Sequence, residues 1–292
     1  MREENILVVF NHSALDWLGA YVLTERVNCT AHTRVLMKHV VKFLPVVGFN
    51  LWFCEYGFLS RNWSKDETSL HQFIQGCQQA TSPFIVSLCP EGTRLTKEKL
   101  AAGQEYAREN NLPVLNHHLV PRTKGFARIA KSLRSHVDAI YDCEFAFPDA
   151  ENATMGTLIG RGTVAGHLNI RRIPIAEFEC STEEEASQYL MELFVKKDKC
   201  MEQFHEHNKF GAPLLTVRRG MKNLVTFTAS SLFTMCVLVF AVRACVRVCS
   251  YESMVVIGVI SFMLLLLTVC VGYWLASPSR SSSFGLKKKK DT

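Results

Sequence analysis

Short apolar runs rich in β-branched residues alternate along this chain with segments of helical periodicity. The run Ile6–Phe10 is the first of them, and it ends at the polar residues Asn11 and His12. This alternation is typical of βα units, in which helices bury parallel strands on both faces. We therefore predict an α/β fold with a mostly parallel central sheet flanked by helices. The predicted strands are 5–10, 34–37, 58–60, 84–89, 114–119 and 137–143, and the predicted helices are 14–25, 65–79, 97–110, 124–134 and 183–206.

The size and charge of the chain limit the classes of function. With the apolar C-terminal third set aside, there is room for one soluble domain of about 200 residues. The net charge of +6 is modest, and basic residues are concentrated at 122–134, 218–222 and 287–290. These clusters indicate phosphate groups or anionic lipid as ligands. Nucleic acid is not expected as a partner, because no motif for it is present.

Cysteine usage and the first residues bear on the compartment and on the start of the chain. Eleven cysteines occur without a Cys-x-x-Cys spacing, which indicates reduced thiols rather than a disulfide framework. Residues 1–10 lack the basic leader and full apolar core of a secretory signal. Because the first apolar run begins so early, we expect that a membrane-binding start has been lost, or that the chain is a short isoform or a partial gene model.

Two apolar segments near the C-terminus are long enough to span a bilayer. Leu224–Val242 contains several hydroxyl side chains, whereas Met254–Leu275 is strongly apolar and carries Tyr273 and Trp274 at its end, as an interfacial belt would. Because only a short connection separates them, we predict a transmembrane hairpin. Basic residues flank the hairpin on both outer sides, which predicts that these flanks and the soluble domain face the cytosol.

The chain ends in Lys289-Lys290-Asp291-Thr292. A di-lysine ending of this kind resembles the retrieval signals of endoplasmic reticulum membrane proteins, and it favours that membrane as the location. The alternative is a polybasic tip attracted to anionic lipid.

The apolar stretch Val40–Phe53 is interrupted by Pro45, Gly48 and Asn50. It is therefore too short and too broken to span a bilayer. A core element is the favoured interpretation. The alternative is a surface that dips into lipid or lines an apolar channel.

His12 and Asp16 follow the first predicted strand, four residues apart. An imidazole of near-neutral pKa can remove a proton from a hydroxyl, and a nearby carboxylate can fix its tautomer and stabilise the imidazolium. Metal binding is disfavoured because no further ligand spacing supports it, and Ser13 lacks the Gly-x-Ser-x-Gly surroundings of a nucleophile. From these residues alone, an acid–base pair and a solvated or capping pair both stay open.

Two arginine-bearing turns follow apolar strands. They are Phe58-Leu59-Ser60-Arg61 and Glu91-Gly92-Thr93-Arg94. A planar guanidinium, a threonine hydroxyl and the backbone N–H groups around Gly92 all suit a phosphate ligand. The alternative is that Glu91 and Arg94 pair with each other or cap a helix.

Basic residues form a stripe on the helix predicted after Pro121. The stripe consists of Lys124, Arg128, Lys131 and Arg134, whose spacing places them on one helical face. Such a stripe is usually solvated, but here it follows a strand end and could receive phosphates or an anionic membrane. His117-His118 is interpreted as structural, and the charged segment 196–199 as a helix surface without function.

In this order, the motifs resemble those of the glycerophospholipid acyltransferases, most closely the 1-acylglycerol-3-phosphate acyltransferase branch that includes the lysocardiolipin-type enzymes. That family has His-x4-Asp, then Phe-x-x-Arg, then Glu-Gly-Thr-Arg, then an apolar stretch ending in Pro. Phe58 and Arg61 match the second motif, 91–94 the third in full and 119–121 the fourth. Segments 122–126 and 171–206 are also similar to this branch, so the resemblance covers roughly residues 5–275.

The resemblance implies transfer of an acyl chain from acyl-CoA to the free hydroxyl of a lysophospholipid, with lysophosphatidic acid favoured as the acceptor. His12 would be the general base and Asp16 its orienting partner. The implied substrate-binding residues are Phe58, Arg61, Glu91, Gly92, Thr93, Arg94, Pro121 and Lys124. Of these, Arg61, Gly92, Thr93 and Arg94 would hold the acceptor's phosphate, Glu91 would organise that turn, and the region of Pro121 would lie near acyl-CoA. No metal or prosthetic group is implied, because the thioester already supplies an activated acyl carbon; the expected partners are the two substrates and the membrane.

The implied organisation has four regions. They are an acyltransferase catalytic domain (1–170), its C-terminal extension (171–215), two transmembrane helices (223–275) and a basic cytosolic tail (276–292).

One departure from the family pattern concerns the first motif. The run from His12 to Asp16 is one residue shorter than His-x4-Asp. On a helix the loss of one residue rotates Asp16 by about 100° relative to the family arrangement, unless the turn adjusts. The alternative function is therefore a non-catalytic or truncated membrane-bound paralogue that binds lipid or a partner. A lipid hydrolase is disfavoured because no nucleophile is evident.

Overall fold

The computed structural model describes residues 4–13, 15–27, 29–44, 47–60, 62–160 and 162–211, together with isolated positions between 225 and 243. The chain divides into two compact units, one of residues 1–43 and 47–220 and the other of residues 44–46 and 221–292. All strands and helices given below belong to the first unit.

A six-stranded sheet forms the centre of this unit, in the order β3-β2-β4-β1-β5-β6. All neighbouring strands are parallel except β6, which runs antiparallel to β5. The predicted α/β fold with a mostly parallel sheet is thereby confirmed. The strands are β1 (Ile6–Phe10), β2 (Thr33–Lys38), β3 (Gly57–Leu59), β4 (Ile85–Leu88), β5 (Ala139–Ala146) and β6 (His167–Pro174).

The central strand β1 is buried on both faces, as its unbroken apolar run requires. Leu7 and Val9 point into one core cluster, which also contains residues of the helices at 63–78, 123–133 and 183–207. Ile6, Val8 and Phe10 point to the opposite face. The alternation follows the two-residue period of a strand, so both faces of β1 need apolar residues.

Helices cover the sheet. The five predicted helices are confirmed, each within two residues at either end. The helices are α1 (Asp16–Arg26), α2 (Val47–Phe53), α3 (Trp63–Gln78), α4 (Lys97–Glu109), α5 (Thr123–Leu133), α6 (Met155–Ile159) and α7 (Glu183–His207). The long helix α7 begins with a capping box. The Thr182 hydroxyl accepts from the backbone N–H of Glu185, and the Glu185 carboxylate accepts from the backbone N–H of Thr182.

The predicted strand at 114–119 is wrong, because this segment forms no strand. Its Leu115, His118 and Leu119 are buried, which explains the apolar pattern. Its backbone N–H groups, however, donate to carboxylates: Asn116 and His117 to Asp198, and Leu119 to Glu91. Buried N–H groups need acceptors, and here side chains supply them in place of a neighbouring strand.

Strand β6 was not predicted. It pairs with β5 along its whole length but forms the edge of the sheet, and Arg171 and Arg172 are exposed. Their guanidinium groups pair with Asp142 and Glu4. Because charged residues on an exposed edge interrupt the apolar pattern, periodicity alone does not identify such a strand.

The stretch Val40–Phe53 forms a 3₁₀ turn followed by α2. Val40, Phe43, Trp52 and Phe53 are all exposed, so the core interpretation is wrong for these side chains. Among the described residues, no helix is both long enough and apolar enough to cross a bilayer. The predicted spans 224–242 and 254–275 lie outside the described residues, apart from isolated positions in the first.

Candidate active site

The end of β1 is fixed to β5 by the side chain of Asn11. Its Nδ2 donates to the carbonyl of Phe145 over 2.8 Å, and its Oδ1 accepts from the N–H of Phe145 over 2.7 Å. A buried side-chain amide whose N–H donor and oxygen acceptor are both hydrogen-bonded holds two strands in a fixed register. The next residue, His12, therefore leaves the sheet at a defined point, at the carboxyl edge where ligands of α/β sheets usually bind.

His12 and Asp16 form the central contact of the site. The Nδ1 of His12 lies 2.5 Å from Oδ2 of Asp16, while Oδ1 of Asp16 accepts from the backbone N–H of Trp17 over 2.7 Å. Asp16 is only 5% exposed, but 28% of the His12 side chain is accessible. The carboxylate thus holds the proton on Nδ1 and leaves Nε2 as the proton acceptor.

The shortened first motif does not separate this pair. Asp16 is the first residue of α1, whereas His12 lies before the helix, in the turn that follows β1. Because only one of the two residues belongs to the helix, the rotation expected from helix geometry does not apply. The turn adjusts, and the two side chains meet.

Glu91 links the histidine to the rest of the site. This residue is 4% exposed, its Oε1 accepts from the backbone N–H of His12 over 2.8 Å, and its Oε2 accepts from that of Leu119 over 3.2 Å. Burial raises the pKa of the Glu91 carboxyl, and the positive charge of His118 together with the two N–H donors works against that rise. No ion pair joins Glu91 to Arg94, both of which the structure describes, so the pairing alternative is wrong.

The turn after β4 brings backbone and side-chain donors beside His12. Gly92 has φ of +66°, and its N–H donates to the carbonyl of Cys89 over 3.0 Å. A Cβ atom at this glycine would lie 3.2 Å from Nε of Arg122. The left-handed backbone therefore favours glycine here, and a Cβ atom would in addition require the Arg122 side chain to move slightly.

Lys99, in the first turn of α4, contacts this turn and was missed by the sequence interpretation. Its Nζ donates to Oγ1 of Thr93 over 2.7 Å and to the carbonyl of Arg94 over 3.4 Å. The N–H of Leu95 donates to the carbonyl of His12 over 3.4 Å, which places the turn directly against the histidine. The signal available in the sequence was its position on α4, one turn past the Thr96 cap.

The other predicted site residues are distributed along the same edge of the sheet. Phe58 is half-buried in β3, Pro121 is buried, and Lys124 is exposed in the first turn of α5. Arg61 lies outside the described residues. The turn before it is anchored, because Oδ1 of Asp66 accepts from both the N–H and the hydroxyl of Ser60.

The basic stripe on α5 is partly used within the protein. Arg128 pairs with Glu67 and Glu183, each over 2.8 Å. Arg134 donates to the carbonyl of Cys180 over 3.2 Å. These arginines tie α5 to neighbouring elements, so the stripe is not a continuous surface free for phosphate.

Segment 196–199 was interpreted as part of a charged helix surface without function, but two of its residues are buried. Lys197 is 1% exposed and pairs with the partly exposed Asp142, and Asp198 is 9% exposed and pairs with the buried His118. The signal was present in the sequence, because Leu190, Phe194 and Met201 mark a buried face at helical spacing that includes these positions.

One group of described residues could hold a metal ion by geometry alone: donor atoms of His12, Asp16 and Cys89 lie within 4.8 Å of one another. Burial strongly raises the pKa of the Cys89 thiol, with the charges of Asp16 and Glu91 adding to the rise. A cysteine binds a metal ion as the thiolate, which this raised pKa disfavours. In addition, the Nδ1 and carboxylate atoms already bond to each other, so the donor chemistry fits a proton-transfer pair better than a metal centre.

Sequence comparisons relate this chain to known acyltransferases. A family model described as Acyltransferase matches residues 1–143, and one described as Acyltransferase C-terminus matches residues 157–237. The chain is similar to 1-acyl-sn-glycerol-3-phosphate acyltransferase 2 of Brassica napus, with 38% identity over 77% of this chain and 58% of the relative. It is also similar to 1-acyl-sn-glycerol-3-phosphate acyltransferase delta of Homo sapiens, with 33% identity over 74% of this chain and 58% of the relative.

The chain thus spans a little under three-fifths of the length of these two relatives. No solved structure matches it. The matched regions include the His12–Asp16 pair, the turn at 91–94 and the helix that carries Asp198. This chain therefore belongs to the glycerophospholipid acyltransferase family, on its 1-acylglycerol-3-phosphate acyltransferase branch.

Proposed function

We propose that this protein transfers a fatty acyl chain from acyl-CoA to the free hydroxyl of a lysophospholipid, with lysophosphatidic acid as the acceptor and phosphatidic acid as the product. The observation that carries the proposal is the His12–Asp16 contact of 2.5 Å, made by a histidine whose side chain is partly exposed. The names of the two relatives, both 1-acyl-sn-glycerol-3-phosphate acyltransferases, support this class of acceptor.

The reaction needs one base and no covalent enzyme intermediate. Nε2 of His12 takes the proton of the acceptor hydroxyl as its oxygen attacks the thioester carbon. The new C–O bond forms, the C–S bond breaks, and the coenzyme A thiolate leaves with the proton returned by the imidazolium. Asp16 stabilises that imidazolium while it exists.

The acceptor's phosphate is proposed to bind the turn at 92–94. Gly92 permits close approach of the backbone, and Thr93 and Arg94 add a hydroxyl and a guanidinium. Lys99 increases the positive charge of this turn through its contact with Thr93. Phe58 and Arg61 are proposed to complete the acceptor site, and the region of Pro121 and Lys124 to lie beside acyl-CoA. Glu91 keeps the structural role described above.

A hydrolase acting through Ser13 has no support from the geometry. Its hydroxyl is buried and has no hydrogen-bond partner among the described residues, whereas an activated nucleophile would bond to His12. The non-catalytic alternative rested mainly on the shortened motif, and the 2.5 Å contact between His12 and Asp16 speaks against that argument.

We further propose that the protein acts at the endoplasmic reticulum membrane with its catalytic unit facing the cytosol. The apolar segments 224–242 and 254–275 and the basic residues on their outer flanks support a membrane location with this orientation.

The test is acyl transfer from labelled oleoyl-CoA in membranes from cells that express the full chain. A panel of lysophospholipids identifies the acceptor, and a His12→Ala variant at equal expression is the control. The expected result is labelled phosphatidic acid that is lost in the variant. Equal transfer by the variant, or free fatty acid without acylated product, would contradict the proposal.

A further inference from the structure

Segment 116–119, strand β5 and helix α7 carry a cluster of largely buried charged side chains that the proposed reaction does not use. We call it the buried charge cluster, and it consists of His118, Asp142, Glu144, Lys197 and Asp198. Nε2 of His118 lies 2.7 Å from Oε1 of Glu144 on β5, and its Nδ1 lies 3.2 Å from Oδ1 of Asp198 on α7. Lys197 pairs with Asp142 over 2.6 Å. Asp142 is partly exposed and also pairs with the exposed Arg171, so His118 and Lys197 share the interior with the buried carboxylates of Glu144 and Asp198 and with this partly exposed one.

His118 carries its charge in this setting. Its side chain is 1% exposed, and burial alone would lower its pKa. The bond to Asp198, the close contact with Glu144 and the negative charges of Glu144 and Glu91 outweigh burial and raise the pKa of His118 to about 9. Both ring nitrogens are then donors at neutral pH, and each faces a carboxylate.

The cluster is connected to the catalytic histidine through backbone hydrogen bonds. Asp198, held by His118, accepts from the N–H of Asn116 over 2.9 Å and from that of His117 over 2.7 Å. The N–H of Leu119 in the same segment donates to Glu91, whose other oxygen accepts from the N–H of His12. Segment 116–119 thus lies between α7 and the active-site turn and is bonded to both.

We propose that His118 is a positioning residue for acyl transfer: its ring lies between Asp198 on α7 and Glu144 on β5 and ties both elements to segment 116–119, and this segment holds Glu91 and thereby His12 in the reacting geometry. The C-terminal helix, distant in sequence from the catalytic pair, then contributes to the precision of the active site. The turnover part of this inference rests on the proposed function, whereas the coupling part rests on the structure alone.

The cluster supplies its own matched control. Lys197, on α7, is a buried cationic residue as His118 is. It bonds to Asp142 and to the carbonyl of Cys143, and it makes no bond to the described segment 116–119. His118→Gln removes the imidazolium and retains an amide of similar size. Lys197→Met removes a buried charge from the same cluster without touching the connection to Glu91. Loss of general stability affects both variants, and loss of positioning affects only the first.

Two measurements on the purified full chain in detergent separate these effects. Hydrogen–deuterium exchange reports the protection of the backbone at 10–16 and 116–119, independently of turnover. Steady-state acyl transfer gives kcat and KM separately, so an effect on turnover is distinguished from an effect on substrate binding.

We expect His118→Gln to exchange faster at both segments and to lower kcat about tenfold with KM unchanged, since small displacements of a catalytic group reduce rate without altering binding. Lys197→Met should exchange at 10–16 like the wild type and keep the wild-type kcat.

Wild-type exchange in His118→Gln, or equal changes in both variants, would overturn the inference. If the wild type shows no acyl transfer, the proposed function fails and the exchange comparison alone decides on coupling. If His118→Gln does not fold, Asp198→Asn replaces it: this variant keeps an acceptor oxygen but loses the charge, and faster exchange at 10–16 is again required.

Discussion

Replacing Asp16 by Asn gives the most direct test of the catalytic pair, because the structure determines which way the new amide must point. Oδ1 of Asp16 accepts from the N–H of Trp17 over 2.7 Å. In the variant the amide oxygen keeps this bond, so the amide nitrogen must face Nδ1 of His12. An NH₂ group there requires Nδ1 to be an acceptor, which moves the ring proton to Nε2. The base would then carry a proton at the atom that must receive one.

The magnitude follows from two limits. Loss of one hydrogen bond to a buried charged acceptor costs about 1.5–3 kcal/mol, which corresponds to about 10- to 150-fold in rate. Enforcing the wrong tautomer of a catalytic histidine costs up to about 10⁴-fold, a value known from serine-protease triads. We therefore expect kcat of Asp16→Asn to fall by about 10² to 10⁴ with little change in KM. Stability should change little, because the bond to Trp17 is retained.

The assay is steady-state acyl transfer with Asp16→Ala measured beside Asp16→Asn. Alanine removes the carboxylate but leaves the imidazole free to choose its tautomer, so Asp16→Ala should retain more activity than Asp16→Asn. Asp138→Asn is the control, since Asp138 accepts from the N–H of Asn5 near the opposite end of β1 and should not affect turnover. An alanine variant less active than the asparagine variant, or an asparagine variant within a few-fold of wild type, would refute the tautomer argument.

Three further outcomes are expected. Gly92→Ala should destabilise the fold by about 1–2 kcal/mol because of its positive φ, whereas Gly103→Ala, with nothing within 4 Å of its new Cβ inside α4, should be neutral or stabilising in thermal unfolding. Because the folded-state pKa of His118 is raised from 6.5 to about 9, its contribution of about 3 kcal/mol should be complete below pH 6.5 and be lost as pH rises through 9. Urea midpoints should show this decline in the wild type and a smaller one in His118→Gln; equal declines would contradict it. Lys99→Met should raise KM for lysophosphatidic acid more than KM for acyl-CoA, whereas Lys99→Arg should largely preserve both, and equal effects on the two substrates would argue against a phosphate contact.

Much of the fold follows from local apolar patterns. The run Ile6–Phe10 needs partners on both faces, and the structure provides them on both sides of the sheet. The five long helices follow from periodicity and capping residues such as Thr96 and Thr182. Edge strand β6 does not follow, because its stability comes from pairing with β5 and from ion pairs of Arg171 and Arg172, which no local pattern displays.

Segment 114–119 shows why burial alone does not define a strand. Its Leu115 and Leu119 are buried, but its backbone N–H groups donate to Asp198 and Glu91, which lie far from it in sequence. Lys197 and Asp198, expected on a helix surface, are likewise buried beside partners that are distant in sequence. A charged residue on an otherwise apolar helix face is a recognisable signal, yet its partner becomes known only when the chain has folded.

The shortened first motif marks the limit of arguments from spacing. A rotation of about 100° per residue is valid only when both residues belong to one helix. Here the strand end, the bond from the N–H of His12 to Glu91 and the start of α1 each fix one part of the turn, and the 2.5 Å contact is the result. The positions of the two side chains are thus determined by what holds their backbones rather than by the number of residues between them. It follows that adding a residue to restore His-x4-Asp should not increase turnover, because the contact that such an insertion would supply is already made.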